Sequence, residues 1–227
     1  MLKRFNKVLI ICAHPDDEAI GCGGVIPLMT KKTTVDLLIF TNGEGSRNLK
    51  TKILNQKITE RKLNLYKSSK NLGINNIYHL DLKDNELDSY TNLYLTKIIE
   101  NYLDKIKPET IFTHHGGDLN IDHQKIYQAV ITATRPYKKK SIKNIFTFEV
   151  PSSTNAYYGD KAFNPNMFID IKSSIKKKIK SLNIYKSQFT KKPSLLNIKN
   201  ITNLAKQRGC SVGCEYAEAF QIIRLIA

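Results

Sequence analysis

The chain has 227 residues, 41% of them hydrophobic, and carries 36 Lys and Arg against 20 Asp and Glu, a formal charge of +16. That length suits a single α/β domain, taken as 1–227, whose core needs no disulfide or structural metal; no apolar run is long enough to span a bilayer, so stable membrane insertion is not expected. The positive balance reads as compositional drift in a chain rich in Lys, Asn and Ile, with an anionic substrate, such as a phosphorylated one, as the second reading; scarce Arg and the lack of interleaved aromatic and basic residues argue against a nucleic-acid partner.

The N-terminal "MLKRFNKVLIICAH" has a basic start and a short apolar run, but acidic residues and no small-residue cleavage site follow it. It is read as the first strand, 7–13, of a cytoplasmic protein; a continuous apolar run fits a strand buried on both faces. "TVDLLIFTN" (34–42), "NIYHLDL" (76–82) and "ETIFTHH" (109–115) give three more strands. Between them, Leu54, Ile58, Leu65 and Leu72 share a helical face over 51–72, ended at Gly73, and Leu95, Ile99, Tyr102 and Ile106 repeat at helical spacing over 89–106. A helical pattern over 122–134 stops at "RPYKKK", and "NIFTFEV" (144–150) is a further strand. Residues 151–166 read as loop by their Pro, Gly, Ser and Asn content. Ile171, Ile175, Ile179 and Leu182 form the stripe of an amphipathic helix over 171–186, its lysines a solvated face. "AEAFQIIRLIA" closes the chain as a strand. Strands alternating with helices predict an α/β, Rossmann-like three-layer sandwich with a mostly parallel sheet covered on both faces. Cys12, Cys22, Cys210 and Cys214 lack zinc or redox spacing and are read as reduced thiols.

Open α/β sheets bind ligands beyond the carboxyl ends of their strands. Two such ends are rich in metal-ligand types: "AHPDDE" (13–18) after the first strand, and "THHGGDLNIDHQ" (113–124) after the fourth. The second offers His114, His115, Asp118, Asp122 and His123. Four of the five histidines lie in these two segments; the fifth is His79. Asp16 or Asp17 can cap the following helix, yet three adjacent carboxylates, Asp16, Asp17 and Glu18, repel one another, and a bound cation relieves that most naturally. His14 and Asp17 are three residues apart, so one turn brings both to a single ion, with His123 arriving from the second segment. Two imidazoles and a carboxylate with open positions suit zinc, and iron(II) takes the same set. A water held there would have its pKa lowered to roughly neutral. Asp16, beside it, fits a general base.

Arg61 lies between Ile58 and Leu65 on the apolar face of its helix. A buried arginine needs a partner: either Asp16, Glu18 or another core acid, or the hydroxyls of a bound sugar. "TNGEGSR" (41–47) ends the second strand at the same sheet edge, as plain turns or as pocket lining. Gly21, Gly23 and Gly24 do not have phosphate-loop spacing and are read as permitting close packing of strand, turn and helix.

"AHPDDE" at 13–18, "HGGDLNIDH" at 115–123 and "YAEAF" at 216–220 together resemble the PIG-L/LmbE-like metal-dependent N-deacetylases, along most of the chain. The resemblance implies His14, Asp17 and His123 as zinc ligands and Asp16 as the base that deprotonates the attacking water. Asp122 would stand behind a ligand histidine and orient it, and Arg61 would bind the substrate. It implies N-acetylated amino sugars as substrates, in lipid, thiol-conjugate or antibiotic contexts, and permits a homo-oligomer. Several members carry His where this chain has Asn120. Asparagine can donate a hydrogen bond to an oxyanion but supplies no proton, which leaves His115, His114 or Asp16 itself as the acid. Hydrolysis of a non-sugar amide or ester at the same site is the alternative.

Overall fold

The computed structural model describes residues 5–46, 49–137, 142–156, 161–189 and 194–226. Its centre is a seven-stranded sheet in the order β3-β2-β1-β4-β5-β7-β6. Strands β1 (Val8–Cys12), β2 (Val35–Thr41), β3 (Asn76–Leu82), β4 (Thr110–His114) and β5 (Asn144–Phe148) run parallel. β7 (Ala217–Leu225) is antiparallel to β5, and β6 (Met167–Asp170) is antiparallel to β7.

The continuous apolar runs are buried on both faces because the sheet is covered on both. In β1, Val8, Ile10 and Cys12 enter one core, while Leu9, Ile11 and, just past the strand, Ala13 enter the other. The first core packs α1 (Asp17–Cys22), α2 (Ile26–Met29), α3 (Thr51–Leu72), α6 (Ile175–Ile184) and α7 (Ile198–Cys210) through Ile20, Ile26, Leu65, Leu182 and Ile201. The second packs α4 (Asn92–Ile106) and α5 (Ile121–Ala133) through Leu95, Ile99, Ile126 and Val130. The result is the three-layer α/β architecture that the alternating pattern predicts.

Local signals set the boundaries. α3 ends where Gly73, at φ +88°, returns its N–H to the Ser69 carbonyl. Thr91 caps α4 through Tyr94 N, and Asn120 caps α5 through Asp122 N and His123 N. The predicted helix over 171–186 is shorter, Ile175–Ile184, because Met167–Asp170 pairs with β7 just before it. Neither β6 nor α7 is foreseen from the sequence. β6 has four residues, too few for periodicity, and α7 is polar except at a few positions such as Ile201 and Ala205. The lysines 138–140 lie outside the described residues.

The α1–α2 turn is held from a distance. Glu218 of β7 accepts from Gly24 N and Val25 N, both at 2.7 Å, and pairs with Lys178 of α6, which also donates to the Ile20 carbonyl. This clasp gives "YAEAF" a physical role: its glutamate satisfies backbone donors almost two hundred positions earlier in the chain. The glycines pack as expected. A Cβ on Gly21 would lie 2.2 Å from the Phe148 ring, and one on Gly24 would lie 2.6 Å from Ile171. Gly21→Ala is therefore expected to destabilise the protein by about 1–3 kcal/mol, the usual cost of overpacking, measured by chemical denaturation. Unchanged stability would show that α1 does not need this contact.

Candidate metal centre and active site

The chain leaves β1 toward β2 on one side and later returns to place β4 on the other. The strand order therefore reverses between β1 and β4, the crevice where open α/β sheets bind ligands. His14 follows β1 and His123 lies in the first turn of α5, which follows β4. The two segments, a hundred residues apart, meet there.

His14 Nδ1, Asp17 Oδ2 and His123 Nε2 stand 3.2, 3.3 and 3.5 Å from one another. All three residues are buried. A tetrahedral ion with bonds of about 2.0–2.1 Å separates its donors by about 3.3–3.4 Å, so these three atoms are spaced as the edges of such a site. Asp17 is pinned by its own loop, its Oδ2 accepting from His14 N at 2.8 Å. His14 Nε2 lies 3.2 Å from both Asp122 and Asp84. Asp122 in turn accepts from Asn85 N and Leu87 N. His123 Nδ1 lies 3.2 Å from Asp118, which accepts from Asn120 N and from Thr154. Each imidazole thus has a carboxylate behind it and turns its other nitrogen toward the shared point, the arrangement that orients metal-binding histidines.

The electrostatics favour a cation. Burial alone would lower the pKa of His14, but its hydrogen bonds to Asp122 and Asp17 raise it to about 10. Burial likewise opposes the charge on His123, and Asp17 and Asp118 raise it to about 9. Against the cost of burial, His123 and His114 hold Asp17 well below the usual carboxylate range. Asp118 is held at about 2 despite its burial, by His123 and Thr154. Carboxylates that draw protons onto two buried imidazoles favour a divalent ion in the same place.

Asp16 lines the same cavity, which measures about 210 Å³. Burial lifts its pKa to about 6, against the pull of Arg61. Arg61 reaches Asp16 at 3.1 Å and Glu44 at 3.3 Å, and donates to the Pro15 carbonyl at 2.9 Å. Of the partners weighed for this arginine, Asp16 and Glu44 are the observed ones; Glu18 accepts instead from Ser68, Tyr185 and Asp16 N. Arg61 also borders the cavity, as do Gly43 and Ser46 of the turn after β2.

Asn120 is in the cavity wall, its Oδ1 engaged in capping α5 and its Nδ2 donating to Asn85 at 3.2 Å. His115 is the exception. It lines a separate cavity with Tyr127 and Gln221, and its Nε2 is 2.8 Å from the Lys161 carbonyl. β4 ends at His114, and the next residue already turns away from the β1 crevice. The structure therefore does not bring His115 to the other predicted site residues. His114 lies beneath them, stacked on His123 with centroids 3.8 Å apart, and accepts from Ala13 N. Burial and the neighbouring His123 lower its pKa to about 4. His79 is remote, against the Thr41 carbonyl.

The sequence reading does not assign roles to Asp84 and Asp118. Asp118 is visible in the second motif, but nothing in its spacing says that it faces His123. Asp84 follows a strand end with no motif around it.

Residues 9–134, more than half of the chain, match the profile of PIG-L, the GlcNAc-PI de-N-acetylase family. The chain belongs to this family. Its members are metal-dependent N-deacetylases, and the chain is an enzyme of that class. A relative from Bacillus subtilis strain 168, named "Probable N-acetyl-alpha-D-glucosaminyl L-malate deacetylase 2", is 30% identical over 188 residues, covering 81% of this chain and 83% of its own. Among solved structures, an N,N'-diacetylchitobiose deacetylase from Pyrococcus horikoshii has a TM-score of 0.80 at 23% identity, over 98% of this chain and 85% of that one. GalB, a 4-carboxy-2-hydroxymuconate hydratase from Pseudomonas putida KT2440, has a TM-score of 0.76 at 20% identity, over 97% of this chain and 98% of that one. These two show the shared fold. Among the described residues no helix is long and apolar enough to cross a membrane.

Replacing Asp118 or Asp122 by Asn is expected to weaken zinc binding about 10–100-fold, measured by competition with a chromophoric chelator. Affinity equal to that of the unaltered protein would show that these carboxylates do not orient the histidines.

Proposed function

We propose that the chain is a zinc-dependent hydrolase that removes the acetyl group from an N-acetylated amino sugar. The observation that carries this reading is the convergence of His14 Nδ1, Asp17 Oδ2 and His123 Nε2 within 3.5 Å of one another, beside Asp16 in one cavity. The donor set, two imidazoles and one carboxylate, supports zinc as the first choice, and iron(II) takes the same set. The family supports N-deacetylation, and the relatives' names support acetamido sugars.

Bound zinc would acidify a water and polarise the acetamide carbonyl. The chain's own residues do the rest. Asp16 accepts the water's proton as the oxygen adds to the acetyl carbon. It then passes that proton to the nitrogen as the C–N bond breaks, releasing acetate and a free amine. Asp16 takes both roles because His115 faces another cavity, His114 is fully buried beneath the site with its Nε2 accepting from Ala13 N, Asn120 has no proton to give, and His14 and His123 are committed as ligands. A buried carboxyl group beside the shared point can take part in both proton transfers. Arg61 keeps Asp16 in place. Asn120 Nδ2 has a second hydrogen, beyond the one given to Asn85, for the carbonyl oxygen that gains charge.

The cavity is lined mainly by polar side chains, among them Asp16, Arg61, Asn85 and Asn120, which suits a polar substrate group. Among the described lining residues, Arg61 is the one Lys or Arg, and Asp16 and Glu44 already engage it.

Asp16→Asn is expected to lower kcat by about 10²–10⁴-fold, the usual span for a lost general acid–base, while zinc still binds stoichiometrically. His115→Ala retains most of the activity. Acetate release from a panel of N-acetylhexosamine derivatives and other acyl donors is the assay. A zinc-loaded protein that leaves every N-acetyl sugar intact, or an Asp16→Asn variant as active as the parent, contradicts the reading.

A further inference from the structure

Asp16 is unusual for a non-glycine residue. Its φ is 117° and its ψ is −25°. Side chains other than glycine rarely adopt such a backbone, and where they do, surrounding contacts must impose it. Its N–H donates to Glu18 Oε2 at 3.0 Å. Its carbonyl accepts from Ala19 N and Ile20 N, both at 2.9 Å, which starts α1.

Glu18 is fully buried, and α1 packing alone would favour an apolar residue there. Three donors surround its carboxylate: Asp16 N, Ser68 Oγ of α3 at 3.0 Å, and Tyr185 OH at the end of α6 at 2.8 Å. Tyr185 is itself fully buried. Two helices thus fix one oxygen of Glu18, and the other oxygen fixes a backbone N–H. The ligand carboxylate Asp17 has a separate hold, through His14 N.

We propose that Glu18 is a positioning residue. Locked by Ser68 and Tyr185, its carboxylate holds the backbone of Asp16 in the strained conformation that sets the Asp16 side chain against Arg61 and into the cavity. The inference rests on the reading of Asp16 as the group that moves the proton. Glu18 acts through Asp16 and touches neither substrate nor metal. If its carboxylate is removed, the Asp16 N–H loses its buried partner and the strained peptide can relax. The metal ligands keep their own anchors.

The test compares Glu18→Ala, Glu18→Gln and Tyr185→Phe in the full-length zinc-loaded protein, with Asp16→Asn alongside. Glu18→Ala is expected to lower kcat by about 100-fold, the scale of a displacement near 1 Å. KM and the zinc dissociation constant should stay within about threefold, because those contacts are made elsewhere. The Asp16 amide should exchange its hydrogen faster, read by NMR. Glu18→Gln is expected to recover most of the activity, since its carbonyl can accept from Asp16 N while the two hydroxyls rotate to accept from its amide. Tyr185→Phe, the milder change, should fall between and serves if Glu18→Ala does not fold. The proposal is overturned by an Asp16 amide that stays protected in Glu18→Ala or Tyr185→Phe, or by zinc affinity falling in step with kcat. The Asp16→Asn arm separates the two ideas. If that variant is active, the proton-transfer reading fails, while amide exchange still decides whether Glu18 holds Asp16.

Discussion

A surplus of buried negative charge at one point governs this protein. Asp16, Asp17, Glu18, Asp84, Asp118 and Asp122 are all withdrawn from water around the crevice between β1 and β4. Within that crevice Arg61 answers only part of the charge, through Asp16 and Glu44. Buried carboxylates without compensation are among the costliest features a fold can carry. Without an ion, protons on the imidazoles of His14 and His123 offset some of it; a divalent cation that displaces those protons would offset more. A site of this kind in a water-poor interior is consistent with an ion being part of its charge balance.

The rest of the fold serves to keep that arrangement rigid. The sheet brings two segments together at its topological switch, and glycines at close contacts let α1 press against Phe148 and the α1–α2 turn press against Ile171. The Lys178–Glu218 clasp ties the α1–α2 turn to α6 and to the last strand. Different carboxylates have different tasks because their neighbours differ. Asp17 sits among imidazoles and stays ionised. Burial raises the pKa of Asp16 to about 6, against the pull of the Arg61 guanidinium. Glu18, ringed by neutral donors, is lifted to about 7 by burial.

Much of this was legible in the chain. The apolar runs of β1 and β2 announce strands covered on both faces, and β3 spans the run read for it. The paired histidine–carboxylate segments announce a metal centre, because their residue types at strand ends have few other uses. What was hidden is what depends on direction rather than order. His115 sits next to His114 in sequence, yet the end of β4 turns it into a different cavity. Asp84 stands behind His14 only because the chain after β3 bends over the crevice. β6 and α7 escape notice because four residues carry no period and a polar helix carries a faint one. Arg61 could be recognised as a buried cation needing partners, but only the fold shows that Glu44 is one of them.

The account stands on three atoms sharing one ion. Crystals of the zinc-loaded protein, with anomalous diffraction recorded at the zinc edge, test this most directly. The account predicts one strong anomalous peak about 2.0–2.2 Å from His14 Nδ1, Asp17 Oδ2 and His123 Nε2. A peak elsewhere, or zinc bound by other groups with these three side chains apart, would contradict it.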